Sequence, residues 1–222
     1  MFRTPISPSS VATATGQQPA AYASDVAFTE VVKAIQERKG SRAAYQRMES
    51  NGSWKQSITA ELKSEIEAQT SVFLATANVQ GQPYIQHRGG PPGFLRVLDE
   101  HTIAFADFAG NRQYITQGNL EENSKVHLFL IDYANRRRIK IWGTARVIEN
   151  DEALVGRLMP EDYRARSEQV ILFTVTAWDV NCPQHIPQRF EAADVAAALE
   201  KRDLRIAELE AELRRLQSVS VG

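Results

Sequence analysis

The sequence predicts a mainly β domain, an antiparallel barrel or sandwich of six or seven short strands with flanking helices. Three observations carry this. From Ser71 onward the apolar residues leave helical spacing and fall into short runs rich in β-branched and aromatic residues. Those runs recur as "SVFLATANVQGQPYIQHRGG", a hairpin around Gln80-Gly81, then "GFLRVLD", "HTIAFAD", "KVHLFLID", "RRIKIWGTARVIE" and "QVILFTVTAWDV", with turn-like segments between them. The chain has 222 residues and 43% hydrophobic content, enough for one real core with appendages.

The elements follow in chain order. Residues 1–24 carry Arg3, many Ser, Thr and Ala, and no acid before Asp25. This faintly resembles a transit peptide, but with a single arginine the expectation is a disordered tail. Residues 25–70 predict helices packing on the barrel. "DVAFTEVVKAIQERKGSRAAYQRM" reads as a helix with Val26, Val31, Val32 and Ile35 on its apolar side and Gly40 as a stop. "SITAELKSEIEAQ" reads as another, capped by Ser57 or Thr59, with Leu62 and Ile66 on one face. Residues 71–190 hold the strands, and 191–222 a helix rich in Ala, Glu and Arg.

That last helix places Val195, Leu199, Arg202, Ile206, Leu209, Leu213 and Leu216 at alternating spacings of four and three, the seam of a short coiled coil. Either it self-associates or its stripe packs on the chain's own barrel. About three heptads are too few to stand alone.

A net charge of −1 gives no global attraction to nucleic acid or anionic membrane. The short basic run "NRRRIK" is preceded by Asp132, and the expectation is no nucleic-acid partner. No apolar run reaches the length of a membrane span, so no membrane association is expected. One cysteine, Cys182, excludes an intramolecular disulfide and a cysteine-rich zinc site, and it suggests a reducing, cytoplasmic setting.

Three strand ends carry positive charge. In "FADFAGNRQYITQGNL", a turn at Gly110 and Asn111 leading into a helix would offer free N–H groups and a positive dipole end, with Arg112 in the first turn as a fork suited to phosphate. In "IQHRGGPPGF", His87 and Arg88 precede Gly89 and Gly90, where a flat ligand can approach the backbone. In "NRRRIKIWG", Arg138 and Lys140 share one strand face by period two. "NCPQHIPQRF" sets Cys182 and His185 three apart in an extended, proline-bounded segment. It reads as a thiolate and imidazole pair or as a rigid connector; two ligands do not fill a zinc shell, and no metal is expected.

The residues from Ser71 to about Val180 resemble the FMN-binding split barrel of the pyridoxamine 5'-phosphate oxidase superfamily, and "GNRQYITQGNL", "DYANRRRIKIWGTARV" and "WDVNCPQHIP" resemble, as an ordered set, a branch only related to the true oxidase. The resemblance implies a six- to seven-stranded antiparallel split β-barrel that works as a homodimer with flavin at the interface. It implies FMN as the cofactor, and the compact turn, with no evident adenosine site beside it, favours FMN over FAD, with haem a further alternative. It implicates Gln86, His87, Arg88 and Gly89, then Asp107, Asn111, Arg112 and Gln113, at the phosphate; Arg138, with Lys140 beside it, at the ring edge; and Asn181, Cys182, Gln184 and His185 over the ring face from a second subunit. Two departures stand out. The C-terminal Arg-His and tryptophan arrangement that holds pyridoxal phosphate is replaced by Cys-Pro-Gln-His, and Gln113 stands where a lysine is common.

Two functions follow as expectations. The first is an FMN-dependent oxidoreductase exchanging hydride or electrons with a small molecule or NAD(P)H, with His185, Cys182 and His87 as catalytic candidates. The alternative is a non-catalytic flavin- or haem-binding module for storage, sensing or partner recruitment.

Overall fold

The structure is a computed structural model and describes residues 22–52 and 54–219, apart from the side chains of Ser218 and Val219. Most of the expected tail lies outside the described residues. The chain divides into two compact units, Met1–Ser53 and Trp54–Gly222.

In the first unit a 3-10 turn, Ala23–Val26, buries Ser24. The helix expected beyond it is two helices, α1 (Glu30–Arg38) and α2 (Arg42–Ser50). Gly40 separates them at φ 77, a left-handed value that an L side chain adopts only with strain. Thr29 caps α1 by accepting from the Val32 N–H. Arg42 joins the helices through its ion pair to buried Glu49 and its bond to Gln36 at 2.8 Å. Val31 is 70% exposed, so the expected apolar face is only partly used.

The second unit opens with α3 (Ala60–Glu67), capped by Thr59, with Leu62 and Ile66 buried. Seven strands follow: β1 (Ser71–Ala77), β2 (Pro83–Gly89), β3 (Arg96–Asp99), β4 (Thr102–Phe108), β5 (Lys125–Asp132), β6 (Arg137–Ile148) and β7 (Ser167–Asn181). All pairings are antiparallel, in the order β2-β1-β5-β6-β7-β4-β3. Period-two alternation turns Val72, Leu74, Leu128, Leu130, Ile139, Ile141, Phe105 and Phe173 into one core. Although β2 and β4 hold the first and sixth places in the sheet, Arg88 Nε lies 3.0 Å from Asp107 Oδ1. The sheet therefore curls until its two ends meet, which is the split barrel. The curl sharpens at a bulge between Trp142 and Gly143. There a Cβ on Gly143 would stand 2.0 Å from the Thr174 carbonyl oxygen, so only glycine fits.

Three further helices complete the unit. Between β4 and β5 lies α4 (Ile115–Glu122). The helix α5 (Glu152–Leu158), which the strand pattern did not announce, is capped by Asp151 and covers Ala104, Ala106 and Val170 on the outer side of β4 and β7. The helix α6 (Ala192–Val219) ends the described chain.

Candidate functional site

The barrel interior is apolar for most of its length and polar at one end. Register explains why. In β1 and β2, Val72 faces Arg88, Leu74 faces Gln86 and Thr76 faces Tyr84. Since Val72 and Leu74 are core residues, the alternation turns Tyr84, Gln86 and Arg88 inward. Asp107 continues the inward series Ile103, Phe105 on β4, and Gln169 the series Phe173, Ile171 on β7. Asp107 and Gln169 are register partners, and Gln169 Nε2 donates to Asp107 Oδ2 at 3.0 Å. Arg88 Nε and Asp107 Oδ1, 3.0 Å apart, are misaligned for a hydrogen bond and keep unused hydrogen-bonding capacity, while Arg88 Nη2 donates a long bond to Asp107 Oδ2 at 3.5 Å.

Polar side chains tie α4 over this end. Asn119 donates to Thr76 Oγ1 at 2.9 Å, and the Thr116 hydroxyl donates to Gln86 Oε1 at 3.1 Å. The turn expected at Gly110-Asn111 does not lead straight into the helix. Arg112 and Tyr114 take left-handed φ values of 58 and 53, and α4 begins at Ile115, so Arg112 lies in the loop before the helix and not in its first turn. Tyr114, the N-cap, makes no side-chain cap bond, and the first helical residues, Ile115, Thr116 and Gln117, line the cleft. Arg112 Nε reaches the Tyr114 hydroxyl at 2.9 Å and Glu168 Oε1 at 3.2 Å; the Tyr114 bond first, and the charge of Glu168 after it, hold the guanidinium above its ordinary pKa.

The result is a shallow polar cleft that brings together Gln86, Arg88, Asp107, Asn111, Arg112 and Gln113, six of the residues expected at the phosphate. His87 and Gly89 are not among its walls. By alternation His87 points out of the barrel, where Nε2 meets Ser71 Oγ at 2.7 Å and the ring stands edge-on to Phe73. A Cβ on Gly89 would come within 2.9 Å of the His87 ring. Sequence reasoning missed Tyr84, Thr116, Glu168 and Gln169, which also line the cleft. Period two from Arg88 could have found Tyr84; the polar start of β7 gave a faint signal for the other two on that strand.

The remaining candidates gather elsewhere. Arg138 and Lys140 face outward on β6, opposite Asn181 and Asp179 of β7. Lys140 is held by Asp179 at 3.4 Å and lies over the rings of Trp142 and Trp54 at 5.2 and 5.5 Å. Arg138 Nε is buried with no hydrogen-bond partner among the described residues. His127 packs edge-on against Trp142, and burial first, then the charge of Lys140, lowers its pKa to about 4. Past β7, Cys182, Gln184 and His185 are exposed, and no hydrogen bond joins Cys182 to His185 among the described residues. Gln188 Nε2 donates to the Ala134 carbonyl at 2.8 Å, and Arg189 stacks on Tyr133, which lays this segment along the β5–β6 turn. Gln169 and Asn181 bracket twelve steps of β7, about 40 Å along the strand. One chain thus separates the cleft from Arg138 and the Asn181–His185 segment. No cluster able to hold a metal ion occurs among the described residues.

The family model described as pyridoxamine 5'-phosphate oxidase matches residues 58–182, more than half of the chain. Comparison with curated proteins found no match. Among solved structures, HupZ from Group A Streptococcus is 20% identical over 60% of this chain and 99% of its own, with a TM-score of 0.46. An FMN-binding protein from Syntrophomonas wolfei is 12% identical over 66% and 97%, with a TM-score of 0.42. HutZ, the heme storage protein from Vibrio cholerae, is 17% identical over 53% and 89%, with a TM-score of 0.39.

Proposed function

Because the chain belongs to the pyridoxamine 5'-phosphate oxidase family, we propose that it binds FMN and serves as a flavin-dependent oxidoreductase, as a homodimer in which each flavin is held by both chains. The observation that carries this reading is the polar end of the barrel, where two arginines and an uncapped helix start surround one cleft. These groups fit a phosphate monoester. Arg88 and Arg112 supply charge, Asn111 and Gln113 supply side-chain donors, and the N–H groups at the start of α4 supply the rest.

The ring would take the second group, contributed by the other chain. Arg138, with its buried unpartnered Nε, brings positive charge to the ring edge. Lys140, tied to Asp179 and two tryptophans, orients that strand face and is not free to move. Asn181, Cys182, Gln184 and His185 would cover the ring and exclude water. Of the four histidines, His87, His101 and His127 are held by neighbours, which leaves His185 as the group to exchange a proton. When bound, FMN supplies the hydride or electron transfer itself. Its counterpart would be a small molecule or NAD(P)H.

One observation favours the second reading, a non-catalytic carrier: both carboxylates of the cleft are paired with arginines, so neither is a free acid or base. Haem would call for an open imidazole, and His185 alone offers one. The test is the visible spectrum of the purified protein before and after reconstitution with FMN, followed by anaerobic mixing with NADH and NADPH. Flavin bands that survive desalting and bleach faster than free FMN support the oxidoreductase. Retained flavin without acceleration supports the carrier, and a protein that refuses FMN refutes both flavin readings.

A further inference from the structure

The helix α6 (Ala192–Val219) is 28 residues long, and every side chain described on it is exposed. Its apolar seam residues, Val195, Leu199, Ile206, Leu209, Leu213 and Leu216, are each 42–57% exposed, so the chain's own barrel does not cover them. Leu199, Ile206 and Leu213 occupy one heptad position, a; Val195, Arg202, Leu209 and Leu216 occupy the other, d. The flanking positions of the two middle heptads are charged, Asp203 and Glu210 on one side and Arg205 and Glu212 on the other; the end heptads are flanked by Ala196 and Ala198 and by Gln217 and Val219. A helix docking on a globular surface shows a wider stripe that takes in one flank; a stripe confined to a and d is a coiled-coil seam.

We infer that α6 pairs with α6 of a second copy of this chain as a parallel, in-register two-stranded coiled coil. Charge decides both occupant and direction. In the parallel pair Arg205 stands beside Glu210 of the partner subunit, and the seam's one cation, Arg202, meets Arg202 of the partner subunit across the seam with Asp203 of each chain beside the other's arginine to offset the like charge. An antiparallel pair sets Arg205 against Glu212 of the partner subunit but also Asp203 against Glu210 of the partner subunit, acid against acid, each twice, so its attractions and repulsions cancel. The bond Arg205 now makes within its own helix, to Glu208 at 2.9 Å, joins two side chains about two-thirds exposed and is exchanged at little cost. Three heptads are marginal alone, so the pairing draws on the chains being joined elsewhere too, and a parallel pair satisfies the twofold symmetry of a homodimer. The inference does not depend on flavin.

The test uses the full chain with Cys182→Ser, to which Leu199→Cys or Leu216→Cys is added singly, oxidised with glutathione disulfide and followed on non-reducing gels. Each single variant is expected to give a reducible covalent dimer. Cross-linking through Leu204→Cys, on the outer side of the helix, should be about tenfold slower or more. Ile206→Asp should slow the seam cross-links to that outer rate. Cross-linking only when Leu199→Cys and Leu216→Cys are combined would mean an antiparallel pair and overturn the inference. Equal rates at Leu204 and the seam, or no cross-link at all, would overturn it as well.

Discussion

Replacing Arg88 by Met keeps an apolar stem of similar reach and removes the guanidinium. Asp107 then keeps the Gln169 donor at 3.0 Å but loses the charge 3.0 Å away. Stripping one partner from a fully buried ion pair costs about 3–5 kcal/mol. Here the two side chains are 16% and 11% exposed, so some water reaches them. A cost of about 2–3 kcal/mol is the better expectation, which for a chain of this size lowers Tm by about 4–12 °C. Adding Asp107→Leu removes the stranded carboxylate, and the double variant should recover to within about 1 kcal/mol of the native protein. FMN binding should not recover with it. Loss of one charge-assisted bond to phosphate weakens binding about tenfold or more in both variants. Thermal melts followed by circular dichroism, with FMN fluorescence titrations, read the two quantities separately. A double variant with native stability and native FMN affinity would refute the assignment of Arg88 to the phosphate. A single variant as stable as the native protein would refute the ionic contact with Asp107.

Arg112→Ala should weaken FMN without moving the melting curve, because this arginine is exposed and its pair with Glu168 lies at the cleft mouth. Glu168→Gln removes the carboxylate that competes with phosphate for Arg112 and should tighten FMN severalfold in the same titration; weaker binding would mean that Glu168 positions the loop. His127 should make stability depend on pH. Its pKa is lowered from about 6.5 to about 4 by burial, so the unfolded chain takes up the proton first as pH falls. The stability it contributes is whole above about pH 6.5 and is lost on the way to about pH 4. Urea midpoints at pH 7 and pH 5 should differ more for the native protein than for His127→Phe, and an equal difference would rule out the burial argument. Gly143→Ala must push the β6 backbone off Thr174, and soluble yield and melting temperature should both fall; a variant that melts like the native protein would show that the bulge can yield.

The strands were legible because each is a local statement. Ile139 and Ile141 alternate with Arg138 and Lys140, and Val72 and Leu74 lie in a short β-branched and aromatic run, whatever lies across the sheet. Leu62 and Ile66 announced the buried face of α3 in the same way. Closure was not local. That Arg88 of β2 would meet Asp107 of β4 depends on how far five intervening pairings curl, and no spacing encodes that. The helix start at Ile115 was missed for a related reason. Gly110 and Asn111 are ordinary turn residues, but tertiary ties from Thr116 to Gln86 and Asn119 to Thr76 place the helix, and the loop accommodates them by taking Arg112 and Tyr114 into left-handed backbone.

The two-ended arrangement carries the argument one step further. A barrel end lined by Gln86, Arg88, Asp107 and Gln169 is costly to bury, and α4, anchored in the core by Leu120, is tied to it by polar bonds. Apolar packing would stabilise that end at least as well, and the polar lining suits the anion-binding role proposed for it. The same holds for Arg138, whose Nε is buried without a partner although Asn181 faces it across the ladder. The two places lie about 40 Å apart along β7, and on the proposed function each would supply what the other lacks for one flavin: anion binding at the cleft, a cationic edge and a covering segment at Arg138. In the homodimer proposed above, a second chain set against the first by a twofold axis would bring one end of each to the other twice over and give two equivalent sites. A monomeric variant should therefore lose FMN without any change to the residues of the cleft.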